Sequence, residues 1–273
     1  MMPAKIGFSS HCFPKEMEME QILDFCLEHE FNAMELNSNL KNFHPQRVKE
    51  STLERIKKIS GSGKVFFSLH APEDINFSDS LEEKRADSIK RVEEAIRLAS
   101  RLGIKTVVVH TGTIDEEATP EKLEEAVSQN ISSIRRCALT AKKLGVLVSV
   151  ENLCHVKGTV APDILSFFEV CKKVDLSLIG ITLDTGHASL VEGLEQTVSV
   201  IGQYVNHIHI DDNSNQKSDH FELGQGKINF YAIANYLKRF KGIINIELKI
   251  YGKDYAGPIL RSREYLLRLL DHE

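Results

Sequence analysis

The chain has 273 residues, of which 42% are hydrophobic and 27% are charged, and its formal net charge is −5. These values are typical of an ordinary soluble globule, and the acidic balance lacks the excess of Lys and Arg that marks most proteins binding phosphate backbones. The first residues hold no apolar run long enough for a secretory signal, and no later segment approaches the length of a membrane span. We therefore expect a cytoplasmic protein with no membrane partner.

The elements alternate along the whole chain, with short β-branched runs followed by longer amphipathic segments. Eight runs predict strands, at residues 5–10, 32–37, 65–70, 106–110, 147–152, 180–184, 205–211 and 244–249. The longest helical patterns cover 83–103 and 120–145; the second begins on a proline, and both end on glycine. Eight β-then-α units predict an α/β fold, a single (β/α)8 TIM barrel filling residues 1–273 as one domain. The missing GxGxxG after the first strand argues against a dinucleotide-binding sheet.

The five cysteines are odd in number and show no CxxC spacing. In a chain of this length that favours free thiols over a disulfide framework or a zinc knuckle. Cys26, Cys137 and Cys171 lie in helical patterns and are expected to be core residues, whereas the patterns around Cys12 and Cys154 leave their roles open.

Ionisable residues end the inward faces of six consecutive strands. Alternate side chains of a barrel strand point inward, and active sites lie at the C-terminal ends of the strands. From the third strand to the eighth, these ends carry His70, His110, Glu151, Asp184, His209 and Glu247, and the loop residues His187 and His220 follow at the same rim. Burying several carboxylates and imidazoles together is costly unless a cation neutralises them. The pattern therefore predicts a catalytic divalent metal, with Zn²⁺ or Mn²⁺ favoured over Mg²⁺ or Ca²⁺ by the imidazoles.

The seventh strand, HIHIDD at 207–212, contributes more than one polar residue. His209 is the predicted ligand, and His207, one pleat deeper, is expected to be a hydrogen-bonded core histidine below the site. For Asp211 and Asp212 two roles stay open, namely orienting His187 or His220 behind the metal, or capping a turn.

Two basic features have alternative interpretations. Lys249, one pleat beyond Glu247, either binds a substrate hydroxyl or phosphate or forms a salt bridge at the rim. The segment 37–49 after the second strand holds Lys41, His44, Arg47 and Lys49. This segment either contacts a phosphate or forms a solvated loop and helix start.

Seven short motifs in a fixed order resemble the xylose isomerase-like TIM-barrel superfamily, which includes sugar phosphate isomerases, epimerases and the endonuclease IV family. They are LHAP (69–72), VVHTG (108–112), VEN (150–152), LDTGH (183–187), HIHIDD (207–212), LGQG (223–226) and IELK (246–249). The resemblance covers essentially the whole chain, and the order of the motifs on eight βα units makes the set specific.

The resemblance implies metal ligands at defined positions. An epimerase-like member would hold one divalent ion, often Mn²⁺, by the residues matching Glu151, Asp184, His209 and Glu247, and the residue matching His187 would touch the substrate. Endonuclease IV has a trinuclear zinc cluster that also uses the positions of His70, His110, His187 and His220, plus an aspartate shortly before the last. Ser218 stands at that place here, with Asp219 one residue away. A second metal therefore remains open, and the third lacks its aspartate.

Two enzymatic functions and one binding function follow. The first is a metal-dependent sugar or sugar phosphate isomerase or epimerase, in which Glu151 and Glu247 move a proton next to a carbonyl through an enediolate. Its substrate-binding residues would be His70, His110, His187 and Lys249, and its partner a small sugar. The alternative is an endonuclease IV-like zinc phosphodiesterase, the only interpretation with nucleic acid as a partner. A non-catalytic metabolite binder is third, and exterior helices would allow a homodimer.

Overall fold

Eight parallel strands form one sheet that curves almost to closure. The structure is a computed structural model, and it describes residues 4–40, 43–44, 47–115, 117–153 and 156–271. The strands are β1 (Lys5–Phe8), β2 (Ala33–Asn37), β3 (Phe66–His70), β4 (Thr106–His110), β5 (Leu147–Glu151), β6 (Ile179–Asp184), β7 (Val205–Ile210) and β8 (Ile243–Ile246). Their order is β1-β8-β7-β6-β5-β4-β3-β2, and an isolated parallel bridge between Ser9 and Glu35 joins the two ends. The predicted (β/α)8 TIM barrel is confirmed.

Helices alternate with the strands and cover the outside of the sheet. They are α1 (Met19–Glu28), α2 (Glu50–Gly61), α3 (Glu82–Leu102), α4 (Pro120–Lys143), α5 (Ile164–Val174), α6 (Thr185–Ser189), α7 (Leu194–Ile201), α8 (Ala234–Arg239) and α9 (Ala256–Asp271). Single 3₁₀ turns lie at Ser10–Cys12, Gly202–Tyr204 and Phe230–Ile233. Within the described residues, no helix is both long and apolar enough to cross a membrane.

The start of α4 and the end of α3 lie at the residues that predicted them. Thr119 caps α4 by accepting a hydrogen bond from the Lys122 N–H, and Pro120 is the first helical residue, where its missing N–H costs nothing. Gly103 closes α3 with a φ of +75°, a left-handed conformation that favours glycine. These caps set the positions from which the chain enters β4 and leaves toward β5.

The eighth strand is shorter than predicted. Regular pairing ends at Ile246, and the N–H groups of the next residues find other acceptors: Glu247 donates to the Ile210 carbonyl, Leu248 to Cys12 Sγ, and Lys249 to the His220 carbonyl. The first strand likewise ends at Phe8, because Ser10 begins a 3₁₀ turn. Both strands therefore end earlier than the residue pattern predicts, and loop structure follows them at the C-terminal end of the barrel.

The apolar core lies between the sheet and its helices, whereas much of the barrel interior is polar. Fully buried interior residues include Glu35, Ser68, Ser149, Thr182 and Asn245. Cys26, Cys137 and Cys171 are buried core residues, as expected, and Cys12 is also buried, between strand ends; Cys154 lies outside the described residues.

Candidate functional site

Four side chains meet at the C-terminal mouth of the barrel, one from each of β5, β6 and β7 and one just after β8. Glu151, Asp184, His209 and Glu247 each offer a ligand atom, and these atoms lie within 4.8 Å of one another. The Nδ1 atom of His209 is 3.4 Å from an Oε2 of Glu151 and 3.2 Å from an Oε2 of Glu247. All four side chains are buried. The sequence placed these residues on the inward faces, and the barrel brings them together.

The donor set of this cluster fits a divalent metal ion. Three of its atoms, Glu151 Oε2, Asp184 Oδ2 and His209 Nδ1, are buried and have no hydrogen-bond partner within the described part of the chain. Unpaired polar atoms at such depth are costly, and a cation shared among them would satisfy all three. Three carboxylates and one imidazole form a mixed oxygen and nitrogen set that suits Mn²⁺ or Zn²⁺.

Glu35 supports the cluster from one layer below. Its Oε2 accepts hydrogen bonds from His209 Nε2 at 3.0 Å and from His207 Nε2 at 3.1 Å, and the hydroxyl of Ser68 lies 3.4 Å away. With its proton on Nε2, His209 presents the Nδ1 lone pair to the two glutamates above. A carboxylate behind a ligand histidine is a common device for fixing the tautomer and raising ligand basicity. His207 is thus the hydrogen-bonded core histidine that the sequence predicted.

Opposite charges and burial shift the pKa values of the cluster in different directions. Burial alone would lower the pKa of His209, but the charges of Glu35 and Glu247 outweigh it and raise the pKa well above its usual value. Burial opposes ionisation of Glu151 as well, yet His209 and His110 hold its pKa well below the ordinary range. Burial, reinforced by the neighbouring carboxylates, raises the pKa of Asp184 well above normal. Without a cation, the cluster therefore holds protons that a metal ion would displace.

His70 and His110 line one wall of the mouth, beside Glu151. Their Nε2 atoms lie 3.4 Å and 3.3 Å from the same Glu151 Oε2, and the three residues form a second group with ligand atoms close together. Burial would lower the pKa of His70, but its contact with the Glu151 carboxylate and the charge of Glu73 outweigh it and raise the pKa to about 10. The side chain of His110 is 23% exposed. His110 therefore faces the opening, where a substrate would enter.

Asn152, from the VEN motif, holds the last residue of β6 and a histidine of α6. Its side-chain oxygen accepts a hydrogen bond from the Asp184 N–H at 2.8 Å, and its backbone oxygen lies 2.9 Å from Nδ1 of His187. Asp184 in turn caps α6, because its Oδ1 accepts from the His187 N–H at 2.7 Å. One carboxylate oxygen is thereby used for the helix start, and Oδ2 is left facing the cluster.

The two aspartates of HIHIDD have different roles. Asp211 Oδ2 lies 3.1 Å from Nδ1 of His220, which matches the proposal of a carboxylate that orients this histidine. Asp212 instead caps the LGQG loop. Its carboxylate accepts hydrogen bonds from the N–H groups of Asn213, Gly224, Gly226 and Ile228 at 2.9–3.0 Å. Both roles left open by the sequence therefore occur, one in each residue.

The basic residues lie outside the cluster. Lys249 is exposed at the rim, and its Nζ is 3.5 Å from the backbone oxygen of Ser218. Lys49 directly precedes α2 and forms an ion pair with Glu18, which agrees with a solvated helix start. Arg47 is exposed, and Lys41 lies outside the described residues.

Glu35 is the residue of this candidate site that sequence reasoning did not assign. Alternation places it on the inward face of the second strand, but it lies two residues before the strand end at Asn37, whereas the predicted ligands are the last inward residues of their strands. A buried carboxylate in the middle of a barrel strand was the available signal, because ionised groups are almost never buried without a partner.

Comparison with known proteins gives relatives of several kinds. The chain is 27% identical to the uncharacterized protein MJ1311 of Methanocaldococcus jannaschii over 99% of this chain and 91% of that protein. It is 26% identical to a probable endonuclease 4 of Campylobacter concisus, over 76% of this chain and 78% of the relative. It is 22% identical to 3-dehydro-D-guloside 4-epimerase of Escherichia coli, over 96% of this chain and 98% of the relative.

Solved structures show the same barrel. A D-tagatose 3-epimerase-like protein superposes with a TM-score of 0.86 at 25% identity, covering 98% of this chain and 97% of that one. The IOLI protein with a bound zinc atom gives a TM-score of 0.81 at 18% identity, covering 97% and 98%. The structural neighbours thus include sugar epimerases. A family model described as "Xylose isomerase-like TIM barrel" matches residues 23–269, and the chain belongs to this family.

Proposed function

We propose that the protein is a divalent-metal-dependent sugar or sugar phosphate epimerase or isomerase. The observation that carries the proposal is the buried cluster of Glu151, Asp184, His209 and Glu247, with three ligand atoms lacking hydrogen-bond partners among the described residues. The similarity to sugar epimerases over nearly the whole chain supports it. Epimerisation or isomerisation needs only metal ligands and carboxylates that can carry a proton, and the cluster contains both.

A metal ion bound by these four residues would polarise the carbonyl of a bound sugar and so acidify the hydroxyl-bearing carbon next to it. The protein's own contribution begins with geometry, because Glu35 orients His209 and Asn152 holds the backbone of Asp184. Burial of the whole cluster keeps bulk water from competing for the polarised oxygens.

Glu151 and Glu247 are the proposed proton carriers. One carboxylate removes the proton from the carbon next to the carbonyl, which leaves an enediolate, and the other carboxyl group returns a proton to that carbon from the opposite face. The first glutamate ends the turnover protonated and the second ionised, so the reverse reaction uses them with exchanged roles. The two side chains come from β5 and from the segment after β8, separated by β6 and β7, an arrangement suited to two sides of one substrate.

The remaining substrate contacts would come from the rim. His70, His110 and His187 border the cluster and can donate hydrogen bonds to sugar hydroxyls. Lys249 borders a cavity of about 350 Å³ that His11, Phe13, Lys15 and Tyr255 also line. Two lysines at one cavity favour an anionic group, and we propose that the distal end of the sugar, phosphorylated or not, lies there.

The test combines metal analysis with proton exchange. Metal-free protein is reloaded with Mn²⁺ or Zn²⁺ and incubated with a panel of ketoses and ketose phosphates in D₂O, and deuterium incorporation next to the carbonyl is followed by NMR. We expect exchange only with the ion present, and loss of epimer or isomer formation in both Glu151→Gln and Glu247→Gln. Glu222→Gln is the matched control, because Glu222 lies near the rim but pairs with Arg261. Substantial formation of the epimer or isomer by either cluster variant would remove the paired-carboxylate mechanism.

A second candidate function is zinc-dependent cleavage of abasic DNA. It is favoured by the group of His70, His110 and Glu151, which adds imidazoles for further zinc, and by the similarity to a probable endonuclease 4. Against it stand the net charge of −5 and Ser218 at the position of the expected aspartate. Cleavage of an abasic-site duplex by zinc-loaded protein, with no exchange in any sugar, would replace the first proposal with this one.

A further inference from the structure

One carboxylate outside the candidate metal cluster lies beside the same mouth of the barrel. Glu73 directly follows the LHAP motif after β3, and its Oε1 is 4.0 Å from Nδ1 of His70. Burial opposes ionisation of Glu73, but the charges of His70 and His110 outweigh it and hold its pKa below the usual value. Glu73 therefore faces the two histidines that border the entrance, although it belongs to none of the groups of close ligand atoms found among the described residues.

The segment that follows β2 holds Glu73 through both its side chain and its backbone. The side-chain amide of Asn37 donates to Glu73 Oε1 at 3.1 Å, and the Glu73 N–H donates to Oδ1 of Asn39 at 3.1 Å. Asn37 is the fully buried last residue of β2, and its own Oδ1 accepts from the Asn39 N–H at 2.8 Å. The carboxylate of Glu73 is thus held in place by the protein itself.

These contacts use only one of the two carboxylate oxygens. Within the described residues, Oε2 of Glu73 has no hydrogen bond or ion pair, and the side chain is 39% exposed. The adjacent carboxylate of Asp74 instead pairs with Arg91 of α3, on the outside of the barrel. A fixed anionic acceptor with one unused oxygen suits a hydroxyl donor and repels a phosphate.

Glu73 and the two lysines make different parts of the mouth suit different substrate groups. Among the described residues that line it, the cavity beside Lys15 and Lys249 has no carboxylate and suits an anionic group. Beside His70 and His110, the negative charge of Glu73 favours an uncharged group that can donate a hydrogen bond. A sugar hydroxyl meets that description, and a phosphate does not.

We propose that Glu73 is a specificity-determining residue that accepts a hydrogen bond from one hydroxyl group of the sugar. This inference rests on the proposed function, and it narrows the substrate class to sugars with a free hydroxyl beside His70 and His110. A sugar phosphate would then place its phosphate at the lysines, away from Glu73.

Deoxy sugars test this contact directly. The ketose with the highest kcat/KM is compared with analogues that each lack one hydroxyl away from the reacting carbons, in metal-loaded wild type, Glu73→Gln and Glu73→Ala. Glutamine keeps the oxygen that accepts from Asn37 and removes the charge. We expect the wild type to lose at least about 10-fold in kcat/KM for one analogue, mainly through KM, because a hydrogen bond to a charged group is lost. For the same analogue, both variants should lose less than about threefold, since the partner of that hydroxyl is already weakened or gone.

Asp74→Asn is the matched control, because it removes one charge from the next residue, whose carboxylate pairs with Arg91. This control should discriminate among the analogues as the wild type does. If the wild type discriminates against no analogue, or if it and both Glu73 variants lose the same factor, the role of Glu73 is overturned and the proposed function stands. A variant that lowers kcat but keeps KM and the discrimination also overturns it, because Glu73 then acts through His70. If the metal-loaded wild type converts no ketose, the proposed function fails and the role of Glu73 falls with it.

Discussion

Replacing Glu35 by Gln tests whether the buried carboxylate tunes the metal cluster from below. The substitution keeps the size of the side chain and an oxygen able to accept from His207 and His209, so it removes mainly the negative charge. That charge is the largest cause that raises the pKa of His209. Without it, the Nδ1 atom that faces Glu151 and Glu247 becomes a weaker base and a weaker ligand.

The size of the effect follows from the position of Glu35 behind a ligand. Outer partners of metal-binding histidines contribute about 10–100-fold in metal affinity, which corresponds to about 1.4–2.8 kcal/mol. We expect Glu35→Gln to weaken Mn²⁺ or Zn²⁺ binding by that amount. Glu35 is 0% exposed and bonds both histidines. Solvent therefore cannot readily replace the negative charge that the substitution removes.

The assay is a competition titration of metal-free protein against a chelating indicator, with thermal unfolding of the metal-free form as a check on folding. Glu264→Gln is the control, because Glu264 is an exposed residue of α9 whose ion pair with Arg268 is 3.9 Å long. An affinity unchanged within about twofold in a folded Glu35→Gln variant would refute the role assigned to Glu35.

Three further predictions concern the loop, the proton balance and the metal-free state. Asp212→Ala should lower the free energy of unfolding, measured by urea titration, by at least about 2 kcal/mol, because four N–H groups lose a charged acceptor. Asp219→Ala is the control, and an equal loss of stability in both variants would contradict the capping role of Asp212. Metal binding should release protons, measurable by calorimetry in buffers of different ionisation enthalpy, because the pKa values of Asp184 and His209 are raised; binding without release would contradict those shifts. The pKa of His209 is higher in the folded metal-free protein than in the unfolded chain, so protonation of His209 stabilises the folded form. This stabilisation is present at low pH and is lost as the pH rises through the folded-state pKa. The rise in Tm on adding metal should therefore be larger at about pH 8 than at about pH 6, and a reversed order would count against this linkage.

Most of the candidate site could be predicted because strand alternation is a local property. A period of two fixes which residues point inward, so His209 and Ile208 were assigned to opposite faces without knowledge of the fold. Placing Glu151, Asp184 and Glu247 at one level required only that all strands run parallel and end at one mouth. These assignments remain predictions as regards metal and catalysis, but the geometry they require is present.

The partnerships between distant residues could not be predicted in the same way. Glu35 meets His207 and His209 across the barrel, from positions 172 and 174 residues away in the chain. The end of β8 was also misplaced, because Glu247, Leu248 and Lys249 are held by a carbonyl of β7, by a cysteine thiol and by a loop. Such contacts depend on the closure of the barrel and on loop paths, neither of which leaves a periodic signal.

The sequence by itself determined the eight βα units, the inward faces and the set of ionisable residues at the strand ends, because these follow from periodicity along the chain. Only the tertiary structure decided that His209 turns Nδ1 to the cluster and Nε2 to Glu35. It also decided that Asp211 is buried against His220 whereas Asp212 caps a loop. The reason is that adjacent residues share local signals, whereas their partners are set by which distant segments the closed barrel brings within hydrogen-bonding distance.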